Sequence, residues 1–321
     1  MFRKLNIKTL SWVFLGLLIL TVGIKVLDNR RGVNTLKTEL FNIEENVITS
    51  VIVKPKMLNG KSIELKKNNE DWRVVSDGKS YNGDAVTIEQ LINQLNGLKP
   101  IRLASQTKDG WDKFELTDSL STEVQFMGAK GELAKIYIGK FSYSQPKTNP
   151  MMQQNPYMRP QGTMTSYVRY NDEKEVYAVE GFLGSSANRN VDAFRDKTLL
   201  KTNKTNINKI EFSYPADSSF TMVKNEGVWM SNGIQLDSAS VANYLSGITS
   251  LKGNSFTGGN RTSFTHKTKI FSDNGEQVEV NAVIENEEAI LTTTQNQGTV
   301  FKEALSSNFN KLFISKKELL K

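Results

Sequence analysis

One spacing of apolar residues occurs twice along the chain, each time behind a tryptophan and an aspartate. After Trp72 and Asp84, apolar side chains recur at the spacing that lines one face of a helix: Ile88, Leu91, Ile92, Leu95 and Leu98. After Trp229 and Asp237, the same spacing returns: Val241, Tyr244, Leu245, Ile248 and Leu251. Two unrelated helices would rarely match at so many positions, so the pattern predicts an internal duplication.

The duplication also predicts the core of each repeat. We expect each amphipathic helix to lie against a sheet and to bury its apolar face together with the preceding indole. Asp84 and Asp237 stand where an N-cap oxygen is needed. The predicted core residues of the two repeats are Trp72, Leu91, Leu95, Trp229, Leu245 and Ile248.

The segments around each helix predict antiparallel strands. Residues 47–53 are β-branched and alternating, and residues 207–212 repeat that pattern. Turn signals such as Asp273-Asn274-Gly275 join successive strands. The predicted fold class is therefore α+β: an N-terminal transmembrane helix followed by two tandem duplicated domains, each a mainly antiparallel β-sheet with one long amphipathic helix.

This interpretation divides the chain into four parts. Residues 1–27 form a cytoplasmic tail and a transmembrane anchor, and residues 28–42 form a stalk. Residues 43–201 form the first α+β repeat, and residues 202–321 form the second. The string SKKELLK at the end of the second repeat is similar to RDKTLLK at the end of the first, so we expect the two repeats to end alike.

An uncharged apolar stretch at residues 10–24 predicts the transmembrane helix. With Val26 and Leu27 beyond Lys25, the stretch approaches the roughly 20 residues that cross a bilayer, and Trp12 stands where an interfacial aromatic belongs. A cleaved signal peptide shares the charged start and the apolar core, but no small-x-small cleavage site follows. We expect an uncleaved single-pass anchor in the bacterial cytoplasmic membrane, with the bulk of the chain in the periplasm.

A segment rich in proline and methionine interrupts the first repeat. Residues 142–165 contain four of the chain's seven prolines and four of its nine methionines, so no regular strand or helix is expected there. A loosely held loop and a partner-docking loop both fit this composition. A copper site on the methionines would lack any nearby histidine or cysteine. The candidate partner-contact residues are Met151, Met152, Tyr157, Met158 and Arg159.

Charge and composition narrow the function classes. The net charge of +7 suggests a nucleic-acid binder, but residues 1–31 carry six basic residues against one acidic residue, so most of the excess flanks the apolar stretch. A nucleic-acid binder needs a concentrated basic face, and we expect no such partner. The chain has no cysteine and a single histidine, His266, so thiolate and multi-histidine metal sites are excluded. No cofactor and no metal is predicted.

The motifs of common enzyme classes do not occur. The sequence contains no G-x-S-x-G, G-x-G-x-x-G or P-loop string, and no orienting partner can be nominated for His266. Carboxylates cluster in predicted turns at residues 172–175 and 285–288, where solvated charges are the simplest interpretation. Arg195-Asp196-Lys197 could form a charged site, but its apolar neighbours favour a structural element that closes the domain.

Several short strings occur in an order that is similar to a known family. They are a tryptophan ahead of an Asp-capped helix, W-D-K-F-E-L-T-D at residues 111–118, I-G at 138–139, V-Y-A-V at 176–179 and F-R-D-K-T-L-L at 194–200. Together they resemble an uncharacterised single-pass envelope family, a domain of unknown function, found in Bacteroidota beside gliding-motility-type ABC transporter components. The resemblance implies a place in the cell envelope and a set of neighbours, and it implies no activity.

From these observations we expect a membrane-anchored extracytoplasmic accessory or scaffold protein that is not an enzyme. Its expected partners are the membrane and protein subunits of a gliding-motility-type ABC transporter or another envelope complex. The alternative is an envelope hydrolase, or a glycan- or peptidoglycan-binding module, that uses the turn carboxylates.

Overall fold

A computed structural model of the protein describes residues 12–22, 36–69, 71–145, 162–259 and 261–320. Within these ranges the chain forms two nine-stranded antiparallel β-sheets and a two-stranded sheet that connects them. One helix of 11 residues accompanies each large sheet.

The first sheet and its helix form the unit that we call repeat one. Its strands are β1 (Ile48–Lys54), β2 (Ile63–Asn68), β3 (Asp71–Ser76), β4 (Lys79–Asn82), β5 (Pro100–Ser105), β6 (Thr122–Gly128), β7 (Gly131–Ser144), β8 (Thr163–Tyr170) and β9 (Val176–Glu180). They are ordered β4-β3-β2-β1-β6-β7-β8-β9-β5. Helix α1 (Ala85–Leu95) lies in the connection from β4 to β5, which therefore crosses from one edge of the sheet to the other.

The second sheet and its helix form repeat two, which follows the connecting strand β10 (Thr198–Lys201). The nine strands of the sheet are β11 (Ile207–Ser213), β12 (Phe220–Asn225), β13 (Val228–Ser231), β14 (Ile234–Gln235), β16 (Ser255–Phe256), β17 (His266–Ser272), β18 (Gln277–Glu285), β19 (Glu288–Thr293) and β20 (Phe301–Ala304). Strand β15 (Ser250–Lys252) pairs with β10 in the two-stranded sheet. Helix α2 (Ser238–Ile248) precedes β15. The sheet order is β14-β13-β12-β11-β17-β18-β19-β20-β16.

Short helical turns cover several of the connections. They are Glu45–Val47, Lys56–Leu58, Gly110–Lys113, Gly184–Ala187, Val191–Ala193, Thr294–Asn296, Leu305–Phe309, Asn310–Leu312 and Lys316–Leu319. The turn at Gly110–Lys113 falls inside the W-D-K-F-E-L-T-D string.

The two sheet orders are the same, strand for strand. Replacing β1–β4 by β11–β14, β5 by β16 and β6–β9 by β17–β20 converts the first order into the second. The registers also agree, because Trp72 lies opposite Lys67 on β2 and Trp229 lies opposite Lys224 on β12. Trp72 and Trp229 therefore occupy equivalent positions.

Each long helix begins at the predicted aspartate. An Asp84 carboxylate oxygen accepts a hydrogen bond of 3.1 Å from the Thr87 amide, and an Asp237 oxygen accepts one of 2.9 Å from the Ser240 amide. Each cap satisfies an amide that would otherwise lack a partner in the first helical turn. The predicted helical faces are buried: Ile88, Leu91, Ile92 and Leu95 in α1, and Val241, Tyr244, Leu245 and Ile248 in α2.

The six predicted core residues lie in two separate hydrophobic clusters. Trp72, Leu91 and Leu95 are buried in the cluster of repeat one. Leu245 and Ile248 are buried in the cluster of repeat two, whereas Trp229 packs against that cluster and is only partly buried. Each buried side chain of this size contributes roughly 1.5–3 kcal/mol before the entropy cost of ordering is subtracted.

The N-terminal transmembrane helix is a prediction that the structure contradicts. The described helix at residues 12–22 is exposed and extends roughly 16 Å, about half of a bilayer core. No helix among the described residues combines the length and the apolarity that a membrane span requires. An apolar run sets the hydropathy of a segment but does not fix the length of its helix. The rest of the predicted tail, span and stalk, residues 1–11 and 23–35, lies outside the described residues.

The structure also corrects the predicted proportion of helix to strand. The structure is mostly antiparallel β-sheet, with one long helix beside a nine-stranded sheet in each repeat of the described chain. The α+β prediction gave the helices too much weight because the strands β4, β14 and β16 are short and the edge strand β5 carries no clear alternation.

Candidate functional site

Repeat one and repeat two meet at a joint that is built on the segment connecting them. Strand β10, which the sequence assigns to the first repeat, pairs antiparallel with β15 of repeat two. On the other side, the Asp84 amide donates to the Phe194 carbonyl and the Asp196 amide donates to the Asn82 carbonyl, each at 2.8 Å. The connection is hydrogen-bonded to both repeats, and it fixes their spacing.

Arg195 occupies the centre of the joint. Its guanidinium carbon lies 4.0 Å from the ring centroid of Tyr81 in repeat one and 3.5 Å from that of Phe256 in repeat two. Its Nη1 donates a hydrogen bond of 2.9 Å to Asp192 Oδ1, and the side chain is only 10% exposed. A largely desolvated guanidinium stacked on an aromatic ring contributes about 2 kcal/mol. Arg195 therefore holds the two repeats against each other.

A buried amide network completes the contact. Asn296, in the turn between β19 and β20, is 1% exposed. Its Oδ1 accepts from Asn82 Nδ2 and from Thr299 Oγ1, both at 2.8 Å, and its Nδ2 donates to the Asp196 carbonyl at 2.8 Å. One side chain thus connects repeat two, repeat one and the segment between them. Because these groups are neutral, the network does not depend on pH.

A cavity of about 340 Å³ opens beside the joint at the start of α1. Its charged lining consists of Asp84, Asp196, Lys201 and Lys252. Lys252 Nζ lies 3.5 Å from Asp84 Oδ2, and Asp196 Oδ1 accepts a hydrogen bond of 2.8 Å from the Thr198 amide. The lining carries two acidic and two basic side chains, so their charges cancel. The cavity therefore favours neither an anion nor a cation as a ligand.

A second cavity, of about 320 Å³, lies beside Trp229 on repeat two. Val241 and Leu245 of α2 give it an apolar lining, and Lys204 and Gln235 add polar groups. This volume is at the lower end of the range for small-molecule sites. It is large enough for one ring or branched side chain of a partner.

The ionisable side chains with altered pKa values are packed as structural groups. Burial lowers the pKa of His266, whose ring centroid lies 5.5 Å from that of Tyr214 and 5.1 Å from that of Phe309. Burial also raises the pKa of Tyr214, which donates a hydrogen bond of 2.9 Å to the Ile314 carbonyl. His266, for which the sequence offered no orienting partner, is therefore part of an aromatic cluster.

Three of the six turn carboxylates of the alternative function contact cations or a tyrosine. Glu173 accepts a hydrogen bond of 3.0 Å from the Tyr177 hydroxyl and is paired with Lys37. In repeat two, Glu285 Oε2 lies 2.8 Å from Arg261 Nη2, and Glu288 forms an ion pair with Lys302. In the described part of the chain, no group of three His, Asp or Glu side chains converges as a metal ion requires.

The predicted partner-contact residues lie outside the described part of the chain. These are Met151, Met152, Tyr157, Met158 and Arg159. Their contacts therefore remain a prediction from composition.

Sequence reasoning identified Arg195 but not the residues that surround it. Tyr81, Asn82, Phe256 and Asn296 stand far from Arg195 in the sequence, in short strands and turns that carry no recognisable motif. The one local signal was a charged F-R-D-K string with apolar neighbours, which indicated a residue held at a domain boundary.

Part of the joint, including Arg195 and Phe256, lies in a segment that is similar to a known family. Residues 159–270 match DUF4340, a domain of unknown function. The match begins in repeat one and ends in β17 of repeat two, so it includes β8, β9, Arg195, β10 and α2. No curated protein and no solved structure is detectably similar to the chain. The DUF4340 match is consistent with the uncharacterised family of the sequence resemblance and carries no sign of an enzyme family.

Proposed function

We propose that the protein is a non-enzymatic accessory or scaffold protein that presents two equivalent β-sheet units to protein partners in one fixed arrangement. The observation that carries this proposal is the burial of Arg195 between Tyr81 and Phe256. A protein whose two units act independently has no need of a desolvated cation between them, because burying a charge is costly unless its partners are fixed.

The partner class comes from the sequence resemblance. We propose subunits of a gliding-motility-type ABC transporter in the cell envelope as the proteins that the scaffold binds. The cavity beside Trp229 and the exposed side chain of Val228 at its edge supply a suitable contact, since a pocket that takes one anchoring side chain is the usual centre of a protein interface.

Affinity purification of the tagged full-length chain from its native cells, in mild detergent, tests the proposal. We expect transporter subunits to be recovered with the wild-type chain and to be reduced with Arg195→Ala, because the loosened joint no longer presents both repeats together. Arg189→Ala is the matched control, since Arg189 is an exposed arginine in the same region.

Two outcomes would contradict parts of this proposal. Recovery of the wild-type chain without transporter subunits would reject the partner class. Equal recovery with Arg195→Ala and Arg189→Ala would reject the requirement for a fixed joint.

A further inference from the structure

The joint is a contact between two unlike surfaces of the repeated unit. The first, which we call the tail surface, is formed in repeat one by Tyr81, Asn82 and Asp84. The second, the head surface, is formed in repeat two by residues 252–256 and Asn296. Because the unit occurs twice, each surface also occurs a second time, outside the joint.

The strand registers locate these second copies. Asn82 lies opposite Arg73 on β3, and the equivalent pair in repeat two is Gln235 opposite Met230 on β13, so Ile234 stands where repeat one has Tyr81. At the other end of the sheet, Phe256 lies opposite Phe301 on β20.

The head surface of repeat one follows from the same comparison. Leu103 lies opposite Tyr177 on β9. Phe256 lies opposite Phe301 on β20, the strand of repeat two that is equivalent to β9. Leu103 therefore occupies the position of the aromatic ring that covers Arg195 in the joint.

Both unused surfaces expose large apolar side chains. Ile234 is 52% exposed at the tail surface of repeat two. Ile101 is 48% exposed and Leu103 is 36% exposed at the head surface of repeat one. Exposed apolar residues at an edge whose equivalent is buried in the internal joint favour contact with another molecule.

The turns beside the two surfaces differ in net charge: residues 316–319 carry two lysines and one glutamate, and residues 172–175 carry three acids and one lysine. The turn Lys316–Leu319, which occupies the place of Val191–Ala193 at the end of its repeat, brings Lys316 and Lys317 to the tail surface of repeat two. The turn between β8 and β9, which holds Asp172 and Glu175, corresponds in strand order to the β19–β20 turn of the head surface, and Arg102 lies between Ile101 and Leu103. Association of the two surfaces would place basic side chains beside acidic ones.

We propose that the tail surface of repeat two binds the head surface of repeat one in a second copy of this chain. The contact continues the geometry of the internal joint, with Ile234 and Leu103 at the places of Tyr81 and Phe256. Since the two surfaces differ, the interface is heterologous, and it generates rings or open filaments according to whether the rotation closes. Gln235 of this tail surface also lines the cavity beside Trp229, so self-association and a transporter side chain bound in that cavity compete for one surface.

Cysteine crosslinking tests the head-to-tail contact, because the chain has no cysteine of its own. Full-length Ile234→Cys and Leu103→Cys are purified separately, mixed, and treated with a short bismaleimide. We expect a covalent dimer in the mixture and none with either variant alone, since a heterologous interface brings position 234 next to position 103 and neither position next to itself.

Ile284→Cys mixed with Leu103→Cys is the matched control. Ile284 is an isoleucine of repeat two with 42% exposure, and it lies on β18, away from both surfaces. Association through the exposed helical residues 12–22 would give equal yields with the two pairs, and that result would overturn the proposal.

A charge substitution gives an independent measurement. We expect Ile234→Asp to lower the association constant of the full-length chain by at least about tenfold in sedimentation velocity, because it places a carboxylate in an apolar contact. Ile284→Asp should leave association unchanged. If Ile234→Asp associates as tightly as the wild-type chain, the assigned surface is wrong. This conclusion does not depend on whether transporter subunits are recovered.

Discussion

The Gly83 amide donates a hydrogen bond of 2.8 Å to the Trp72 carbonyl, and a Cβ atom at Gly83 would lie 2.9 Å from Trp72 Cβ. In repeat two the same hydrogen bond runs from the Leu236 amide to the Trp229 carbonyl, at 2.9 Å. Leu236 is buried there, and Trp229 is only partly buried. The missing side chain at Gly83 is therefore what lets Trp72 pack fully into its core, and the corresponding leucine leaves Trp229 beside an open cavity.

Gly83→Leu should destabilise repeat one. The new side chain would meet Trp72 and Ile88 at distances shorter than van der Waals contact, which costs about 1–3 kcal/mol in a packed core. Urea unfolding followed by tryptophan fluorescence measures the change in the free energy of unfolding. Gly247→Ala in α2 is the control, because nothing lies within 4 Å of its Cβ, and it should stabilise by up to about 1 kcal/mol. A Gly83→Leu protein as stable as wild type would show that Trp72 is not held by this close approach.

Asp84→Ala should lower the free energy of unfolding by about 1 kcal/mol, the usual cost of removing an N-cap. Asp84→Asn should stay close to wild type, because an asparagine oxygen can still accept from the Thr87 amide. The ion pair with Lys252 adds little, since Lys252 is 66% exposed. Thermal unfolding of both variants separates the cap from the charge. Equal losses in the two variants would assign the effect to the ion pair.

Arg195→Ala should cost about 2 kcal/mol and should uncouple the two repeats. Differential scanning calorimetry of the wild type should show the repeats unfolding together, and the variant should show two transitions, one for each repeat. Arg189→Ala should change stability by less than about 0.5 kcal/mol, because Arg189 is exposed. A single unshifted transition in Arg195→Ala would mean that the amide network around Asn296 is sufficient to hold the joint.

His266 should make the protein less stable in mild acid. Burial holds its folded-state pKa below the ordinary value of 6.5, so below that pH the unfolded chain binds a proton more readily than the folded protein does. Stability should be unaffected by this group above about pH 6.5, and it should fall as the pH drops from there through the folded-state pKa. Urea unfolding midpoints of the wild type and of His266→Gln, compared from about pH 5 to pH 8, isolate the contribution. Parallel pH profiles would show that His266 does not titrate differently on folding.

Features that depend on neighbouring residues could be predicted from the sequence. The N-caps at Asp84 and Asp237 and the buried helical faces behind them follow from spacing alone, because helical contacts join residues three and four positions apart. The duplication made the same pattern visible twice and indicated that the two tryptophans are equivalent.

Features that depend on distant residues could not be predicted in the same way. Tyr81 and Phe256 reach Arg195 from different sheets, and Asn296 reaches Asn82 across the joint. The ends of the repeats show the same limitation. An alignment of the strings RDKTLLK and SKKELLK matches Phe194 with Ile314. In the structure, the Asp84 amide donates to the Phe194 carbonyl, and the equivalent Asp237 amide donates to the Leu319 carbonyl. Leu319 is therefore the structural equivalent of Phe194. Long-range hydrogen bonds, and not sequence similarity, determine which residues of the two repeats are equivalent.

The position of β5 determines when repeat one can be finished during protein synthesis. Its only strand neighbour in the described sheet is β9, and β5 ends at Ser105 while β9 begins at Val176. At 5–20 residues per second a ribosome takes roughly 4 to 14 seconds to cover that distance. The nascent chain therefore carries an unpaired β5 for that time, and a chaperone that binds its free backbone edge would act in that interval.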